Sequence, residues 1–262
     1  MLAELCAAGE RPDFIVGVSA GAINAAFFAP DPSSDNLRRM AGHWIAMTTR
    51  RALGFSLGSL LGLIGLRDHV AGPAGLRALL AGNLAYERFD QAVVPLHVVC
   101  AELETGQEVL LSEGPVIEAV LASTAIPGVF PPVELGGRRL VDGAIAANTP
   151  IAAAVRLGAD RLIVLPAGFA CALRHIGRSA LARAMHAITL LGARQLHSDF
   201  DRYSREVAIH VIPPLCPLSH SSYDYRHAMS LIERARAATR DWLESGGLSR
   251  TEFPGPLIEH QH

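Results

Sequence analysis

The sequence contains no lysine, so all 23 of its basic side chains are arginines. A lysine nucleophile, a lysine base and a lysine Schiff base are therefore excluded. The formal net charge is -2, whereas a nucleic-acid-binding face needs an excess of basic residues on one side of a molecule. We therefore expect no nucleic-acid partner.

Cysteine is also scarce, because the 262 residues contain only four. These lie far apart without a C-x-x-C pair, as Cys6, Cys100, Cys171 and Cys216. Such spacing favours reduced, mostly buried thiols in a cytoplasmic protein over disulfides or a zinc site. We expect neither a metal ion nor a cofactor.

Long apolar segments are missing as well. The longest uncharged apolar run, residues 52–66, has 15 residues and four glycines, whereas a bilayer-spanning helix needs about 20 apolar residues. The first residues, from Met1 to Glu4, lack the basic start of a signal peptide. We expect a soluble, cytoplasmic protein whose contact with membrane surfaces is peripheral and transient.

What the chain does contain is an alternation of strand and helix patterns, typical of a three-layer α/β/α sandwich. We expect a single domain of residues 1–262, with its motifs within 1–155, a strand and helices in 156–245 and a tail at 246–262. Strands are predicted at residues 13–18, 95–101, 108–111, 138–141, 161–165 and 207–212. Helices are predicted at residues 2–8, 20–28, 36–47, 115–122, 179–203 and 223–243, with another beginning at Pro150 after a Thr149 cap.

The first chemical motif is G-x-S-x-G, which follows a buried strand and precedes a helix of small residues. Its members are Gly17, Val18, Ser19, Ala20 and Gly21. In a nucleophile elbow, the serine occupies a strained strand-to-helix turn, and flanking glycines let the backbone tighten while the hydroxyl stays exposed. The alternative interpretation is an ordinary strand–helix turn in which Ser19 caps the helix.

The second motif is Asp142-Gly143-Ala144, which follows the strand predicted at residues 138–141. An acid at a strand end before a glycine turn lies where an α/β sheet presents catalytic groups. A partly desolvated carboxylate within hydrogen-bond reach of Ser19 can take the proton of its hydroxyl. The alternative is that Asp142 only caps its own turn; its pairing with Ser19 favours the catalytic interpretation.

These motifs, together with residues 122–133 (ASTAIPGVFPPV), resemble the patatin-like phospholipase family, and weaker similarity follows at residues 222–225 and 231–235. The resemblance implies a mostly parallel central sheet. It also implies hydrolysis of a lipid or other acyl ester, such as a phospholipid or acylglycerol, through an acyl-enzyme and without a metal. The implied site consists of the nucleophile Ser19, the proton acceptor Asp142, the elbow residues Gly17, Val18, Ala20 and Gly21, and the turn residues Gly143 and Ala144.

One feature of the family is missing, namely a G-G-G-x-R/K-G loop before the elbow that supplies the oxyanion hole. Losing one oxyanion donor typically lowers the rate by about 10²- to 10³-fold. We expect the natural start to lie upstream of Met1, with in-frame glycine-rich codons before it. The alternative is a non-catalytic lipid- or partner-binding protein, in which residues 52–66 contact lipid.

A further alternative is an α/β-hydrolase with a Ser-His-Asp triad. The histidines that follow Asp142 are His175, His186, His197, His210, His220 and His227. The triad fold places several strands before its elbow, whereas Ser19 has room for one strand and one short helix. The sequence therefore favours the Ser-Asp dyad.

Overall fold

The computed structural model describes residues 1–47, 71–166, 180–215 and 225–254. The chain divides into two compact units, one of Pro12–Ala147 and one of Met1–Arg11 with Asn148–His262. The prediction that residues 1–262 form one domain stays a prediction. None of the helices in the described ranges combines the length and apolarity needed to cross a bilayer.

Helices and strands alternate along the described residues, as the sequence pattern predicts. The α-helices are α1 Leu2–Ala7, α2 Ala20–Phe28, α3 Ser34–Ala46, α4 Ala74–Asn83, α5 Val116–Ser123, α6 Ala144–Ala147, α7 Ile151–Arg156, α8 Ala180–Tyr203 and α9 Ala228–Glu244. The strands are β1 Ile15–Val18, β2 Leu96–Glu102, β3 Glu108–Leu111, β4 Val133–Leu135, β5 Arg138–Asp142, β6 Arg161–Val164 and β7 Ala208–Val211. Short 3₁₀-helices lie at Phe89–Gln91, Tyr225–His227 and Gly247–Ser249.

The unit Pro12–Ala147 contains a sheet in the order β1-β2-β5-β4, with β3 also paired to β2. The pairing of β1 with β2 is parallel and places Val18 opposite Val99. The pairing of β5 with β2 is antiparallel and places Asp142 opposite Cys100. The end of β1 and the end of β5 therefore meet at consecutive residues of β2.

The α/β class predicted from the sequence is confirmed. Parallel pairing joins β1 to β2 and, in the other unit, β6 to β7, whereas β3, β4 and β5 pair antiparallel with their neighbours. A tight turn explains the antiparallel pairing of β4 with β5. Gly136 and Gly137, between β4 and β5, both have positive φ, which a two-residue hairpin turn requires and glycine supplies without strain.

Strand β2 is buried on both of its faces, as a three-layer arrangement requires. Val98 and Cys100 point to one face and Val99 and Ala101 to the other, and all four are 0% exposed. The Val98 and Cys100 side chains belong to the main apolar core of this unit, to which α2 and α5 contribute Ile23, Phe27, Val116 and Val120. This core fixes α2 and α5 against the strand that organises the site.

The second unit is built on the parallel pair β6 and β7, with Leu162 opposite Ile209. Its apolar core combines side chains from these strands with α7 and α8, namely Ile151, Val164, Leu196, Phe200, Ile209 and Val211. An ion-paired cluster fixes α1 to α9. The Glu4 carboxylate, 8% exposed, accepts hydrogen bonds from Arg236 Nε at 2.8 Å and from Arg240 Nε at 3.2 Å.

Candidate active site

Ser19 lies between the end of β1 and the start of α2, with φ 52° and ψ -123°. It is the one non-glycine residue with positive φ in the described part of the chain. Such a conformation costs on the order of 1–3 kcal/mol and persists only where the surroundings enforce it. An ordinary capping serine has extended backbone angles and accepts a hydrogen bond from the helix, and Ser19 does neither. The strained geometry is that of a nucleophile elbow.

The two glycines of the elbow have different roles. A Cβ built on Gly17 would lie 2.8 Å from Ala22 Cα and 2.8 Å from Gly21 O, so only glycine lets β1 and α2 approach this closely. A Cβ on Gly21 would meet no described atom within 4 Å. The expectation that both glycines relieve a steric clash is therefore wrong for Gly21, whose side faces open space among the described residues.

The side chains of Ser19 and Asp142 are directly hydrogen-bonded. Ser19 Oγ donates to Asp142 Oδ2 at 2.7 Å, and Asp142 Oδ1 accepts from the backbone N–H of Ala144 at 2.9 Å. Asp142 ends β5 and is 4% exposed. Both carboxylate oxygens thus have a fixed donor, and one of these donors is the serine hydroxyl.

Burial controls the protonation of this pair. It raises the pKa of Asp142 to about 6, against the smaller opposing effects of the hydrogen bonds from Ala144 and Ser19. The ionisable neighbour on β2 is Cys100, whose thiol pKa is raised to about 12 by burial and by the charge of Asp142. At neutral pH the site therefore holds an ionised carboxylate beside a neutral thiol, and that carboxylate is a competent proton acceptor.

Gly143 is required by the close packing of β5 on β2. A Cβ at this position would overlap the backbone carbonyl of Val99 and would lie 2.8 Å from Val18 Cγ2. The absence of a side chain lets the chain turn sharply after Asp142 into α6, which brings the Ala144 N–H back onto the carboxylate. Each residue of the D-G-A motif thus has a contact that accounts for it: the carboxylate of Asp142 binds Ser19, Gly143 allows close packing, and the Ala144 N–H binds the carboxylate.

Ser123 is a site residue to which the sequence reasoning gave no role. Its Oγ accepts a hydrogen bond from the backbone N–H of Ser19 at 2.9 Å. The same hydroxyl donates to the Val99 carbonyl at 2.6 Å. Ser123 is 0% exposed and ends α5, whose other residues are mostly apolar. The sequence did contain a signal for this role, because Ser123 is a polar residue at the end of an apolar helix, within a stretch that resembles the family.

Several candidate residues lie outside the described ranges, namely residues 52–66, Cys171, Cys216, His175 and His220. The hydrogen bonds described for Ser19 and Asp142 include no histidine. Elsewhere, His197 pairs with Asp201 and His210 with the carbonyl of Arg250. Among the described residues, no group of three His, Cys, Asp or Glu side chains is arranged to hold a metal ion.

The model of the family described as Patatin-like phospholipase matches residues 1–155. This match covers more than half of the chain and contains both Ser19 and Asp142. The chain belongs to the patatin-like phospholipase family. The recognition made from the motifs is confirmed, and membership supports lipid hydrolysis at the level of the family.

Relatives of this patatin-like protein include mycobacterial proteins that carry the description "Uncharacterized NTE family protein". One from Mycobacterium bovis and one from Mycobacterium tuberculosis are each 31% identical over 156 residues, which is 60% of this chain and 42% of the relative. Another from Mycobacterium tuberculosis is 33% identical over 148 residues, 56% of this chain and 24% of the relative. The chain thus matches less than half the length of these relatives.

Proposed function

We propose that this protein hydrolyses carboxylic esters of lipids, with Ser19 as the nucleophile and Asp142 as the proton acceptor. The observation that carries the proposal is the 2.7 Å hydrogen bond from Ser19 Oγ to Asp142 Oδ2 at a strained elbow. The strain presents the hydroxyl, and the buried carboxylate takes its proton. The lipid nature of the ester is supported by the family.

In the acylation step, Ser19 Oγ forms a bond to the ester carbonyl carbon while its proton passes to Asp142 Oδ2. The tetrahedral intermediate collapses, and the bond between the carbonyl carbon and the alcohol oxygen breaks. The proton on Asp142 passes to the departing alkoxide, so the alcohol leaves neutral and the acyl group stays on Ser19.

In the deacylation step, a water molecule attacks the acyl carbon and gives its proton to Asp142. The bond from that carbon to Ser19 Oγ then breaks, and Asp142 returns the proton to the serine oxygen. The fatty acid leaves, and both side chains regain their initial state. A single carboxylate acts as base and then as acid in each half-reaction, which its pKa of about 6 allows near neutral pH.

The negative charge on the carbonyl oxygen needs hydrogen-bond donors. Ala20 is the first residue of α2, so its N–H has no acceptor within the helix and the helix dipole is positive there. We assign the Ala20 N–H as one oxyanion donor. The N–H of Ser19 itself is already bound to Ser123 Oγ.

The proposal is tested with p-nitrophenyl esters of medium chain length and with vesicles of phosphatidylcholine. Ser19→Ala and Asp142→Asn are expected to lower kcat by at least about 10⁴-fold, the scale seen when one member of a serine triad is removed. A fluorophosphonate probe followed by mass spectrometry is expected to label Ser19.

The matched control is Ser112, whose Oγ lies 2.6 Å from His97 Nδ1 in the same unit. This serine is hydrogen-bonded to a potential base but has no elbow, so Ser112→Ala is expected to leave activity and labelling unchanged. Activity that survives Ser19→Ala would refute the proposal. Single His→Ala variants distinguish the Ser-His-Asp triad from the Ser-Asp dyad, because a dyad enzyme keeps its activity in each of them. In a folded protein, inactivity of every form towards all esters would favour the binding-protein alternative.

A further inference from the structure

One three-residue segment, residues 123–125, binds the backbone of both candidate catalytic residues. At its start, Ser123 Oγ accepts from the Ser19 N–H at 2.9 Å. At its end, the Ala125 carbonyl accepts from the Asp142 N–H at 2.9 Å. Ser19 and Asp142 are 123 positions apart in the sequence, so this segment is a short structural connection between two distant parts of the chain.

The Ser123 hydroxyl ties the elbow to the central strand. It receives one hydrogen bond from Ser19 and gives one to the Val99 carbonyl. Val99 is the residue opposite Val18 in the β1–β2 ladder, so the hydroxyl bridges the first residue after β1 and the strand beside it. Because Ser123 is 0% exposed, solvent does not compete for these two hydrogen bonds.

This bridge acts on the strained residue itself. A serine with φ 52° relaxes towards an ordinary turn unless neighbouring groups hold its backbone. Rotation of the Ser19 backbone moves its Oγ, and misplacement of a reacting atom by about 1 Å lowers a rate by about 100-fold. A hydrogen bond to the Ser19 N–H therefore controls where the hydroxyl points.

We propose that Ser123 is a positioning residue whose hydroxyl holds the backbone of Ser19 so that its Oγ stays aligned with Asp142. This inference rests on the proposed function, because it assigns Ser123 a role in the same reaction. Ser123 contacts neither Oγ nor the carboxylate, so it acts through Ser19. We therefore expect substrate binding not to depend on it.

The test compares Ser123→Ala with Thr124→Val in the full chain. Thr124, the residue after α5, is also buried, and in the described part of the chain its hydroxyl donates to the α5 carbonyls of Val120 and Leu121. Both variants lose one buried hydroxyl from consecutive positions. Ser123→Ala is expected to lower kcat by about 10- to 100-fold with KM within about 2-fold of wild type, whereas Thr124→Val keeps both values near wild type.

The pH dependence of kcat/KM gives a second test, because a loss of stability alone does not shift the pH of its acidic limb. The hydrogen bond from Ser19 lowers the pKa of Asp142, so a misaligned serine raises that pKa. The acidic limb of kcat/KM is therefore expected at higher pH in Ser123→Ala and at the wild-type position in Thr124→Val. Among the described residues, the Ala144 N–H and the neutral Cys100 thiol also face the carboxylate, and both groups are the same in the two variants.

A second variant, Ser123→Cys, keeps a side chain with a weak donor and acceptor at the same place and is expected to give an intermediate kcat. If circular dichroism shows that Ser123→Ala is unfolded, Ser123→Cys is compared with Thr124→Val in its place. The inference is overturned if the folded Ser123 variants match Thr124→Val in kcat and in pH limb while Ser19→Ala is inactive. If Ser19→Ala is active, the proposed function itself has failed.

Discussion

Gly17 packs against α2 so closely that a methyl group on it would lie 2.8 Å from Ala22 Cα. Gly17→Ala forces β1 and α2 apart, and overpacking of this kind typically costs about 1–3 kcal/mol of unfolding free energy. Gly21→Ala adds a methyl group that meets no described atom and is expected to be neutral or to stabilise by up to about 1 kcal/mol.

Urea denaturation of Gly17→Ala, Gly21→Ala and wild type measures the free energy of unfolding of each protein. Because both substitutions change glycine to alanine within the same motif, the comparison isolates packing from chain entropy. Equal losses in the two variants would contradict the assigned difference between Gly17 and Gly21.

Burial of the Asp142 charge is expected to destabilise the protein at neutral pH. Its pKa is raised from 3.8 to about 6, so the unfolded chain ionises first and stability falls as pH rises from about 4 to about 6. At about 1.4 kcal/mol per pKa unit, the loss is on the order of 3 kcal/mol. Asp142→Asn removes the charge and is expected to be more stable than wild type at pH 8.

The measurement is the free energy of unfolding of both proteins at pH 4 and at pH 8. Near pH 4 the carboxyl is mostly protonated in the folded state, so the two proteins are expected to differ much less. A difference that is the same at the two pH values would show that the charge is not its cause.

Activity is expected to depend on the ionisation of the same carboxyl. When Asp142 is protonated, its neutral carboxyl group is far too weak a base to take the Ser19 proton, so kcat/KM is expected to fall about tenfold per pH unit below pH 6. Initial rates on a p-nitrophenyl ester between pH 4.5 and 8.5 test this, with circular dichroism at each pH to confirm folding. A profile that stays flat down to pH 5 would contradict a raised pKa of about 6 for the proton acceptor.

The Glu4 cluster is expected to stabilise the second unit. Glu4→Gln removes the charge that accepts from Arg236 and Arg240, and hydrogen bonds to charged groups contribute about 1.5–3 kcal/mol each when buried. Because both arginines are about half exposed, we expect a total loss of about 1–2 kcal/mol in denaturation. Asp35→Asn, at an exposed pair with Arg38, serves as the control with an expected change below about 0.5 kcal/mol; equal effects would contradict the cluster's role.

The order of most elements was predictable because apolar periodicity and glycine or proline boundaries record it locally. Strand β4, Val133–Leu135, was missed because it has three residues and follows two prolines. Helix α4 was also missed, because it contains a glycine near each end and glycine weakens a helical pattern. Helix α7 begins at Ile151 with Pro150 as its cap, so the predicted Thr149 cap was one residue early.

The site was only partly predictable, for a physical reason. Ser19 and Asp142 each belong to a local motif that a strained turn or a strand end requires, and a motif can be read from a few neighbouring residues. Ser123 has its role through contacts with Ser19 and Val99, and the sequence does not record which distant residues a hydroxyl meets. The different demands on Gly17 and Gly21 likewise depend on how closely β1 and α2 pack.

The register of β2 has a consequence for how such a protein can diversify. Val18 pairs with Val99 and Asp142 with Cys100, so the spacing of sheet hydrogen bonds sets the distance between Ser19 and Asp142. Connections that contact neither Ser19 nor Asp142 can therefore change in length or composition without altering that distance. A one-residue slip of either strand along β2, in contrast, turns its side chains to the other face of the sheet and separates Ser19 from Asp142.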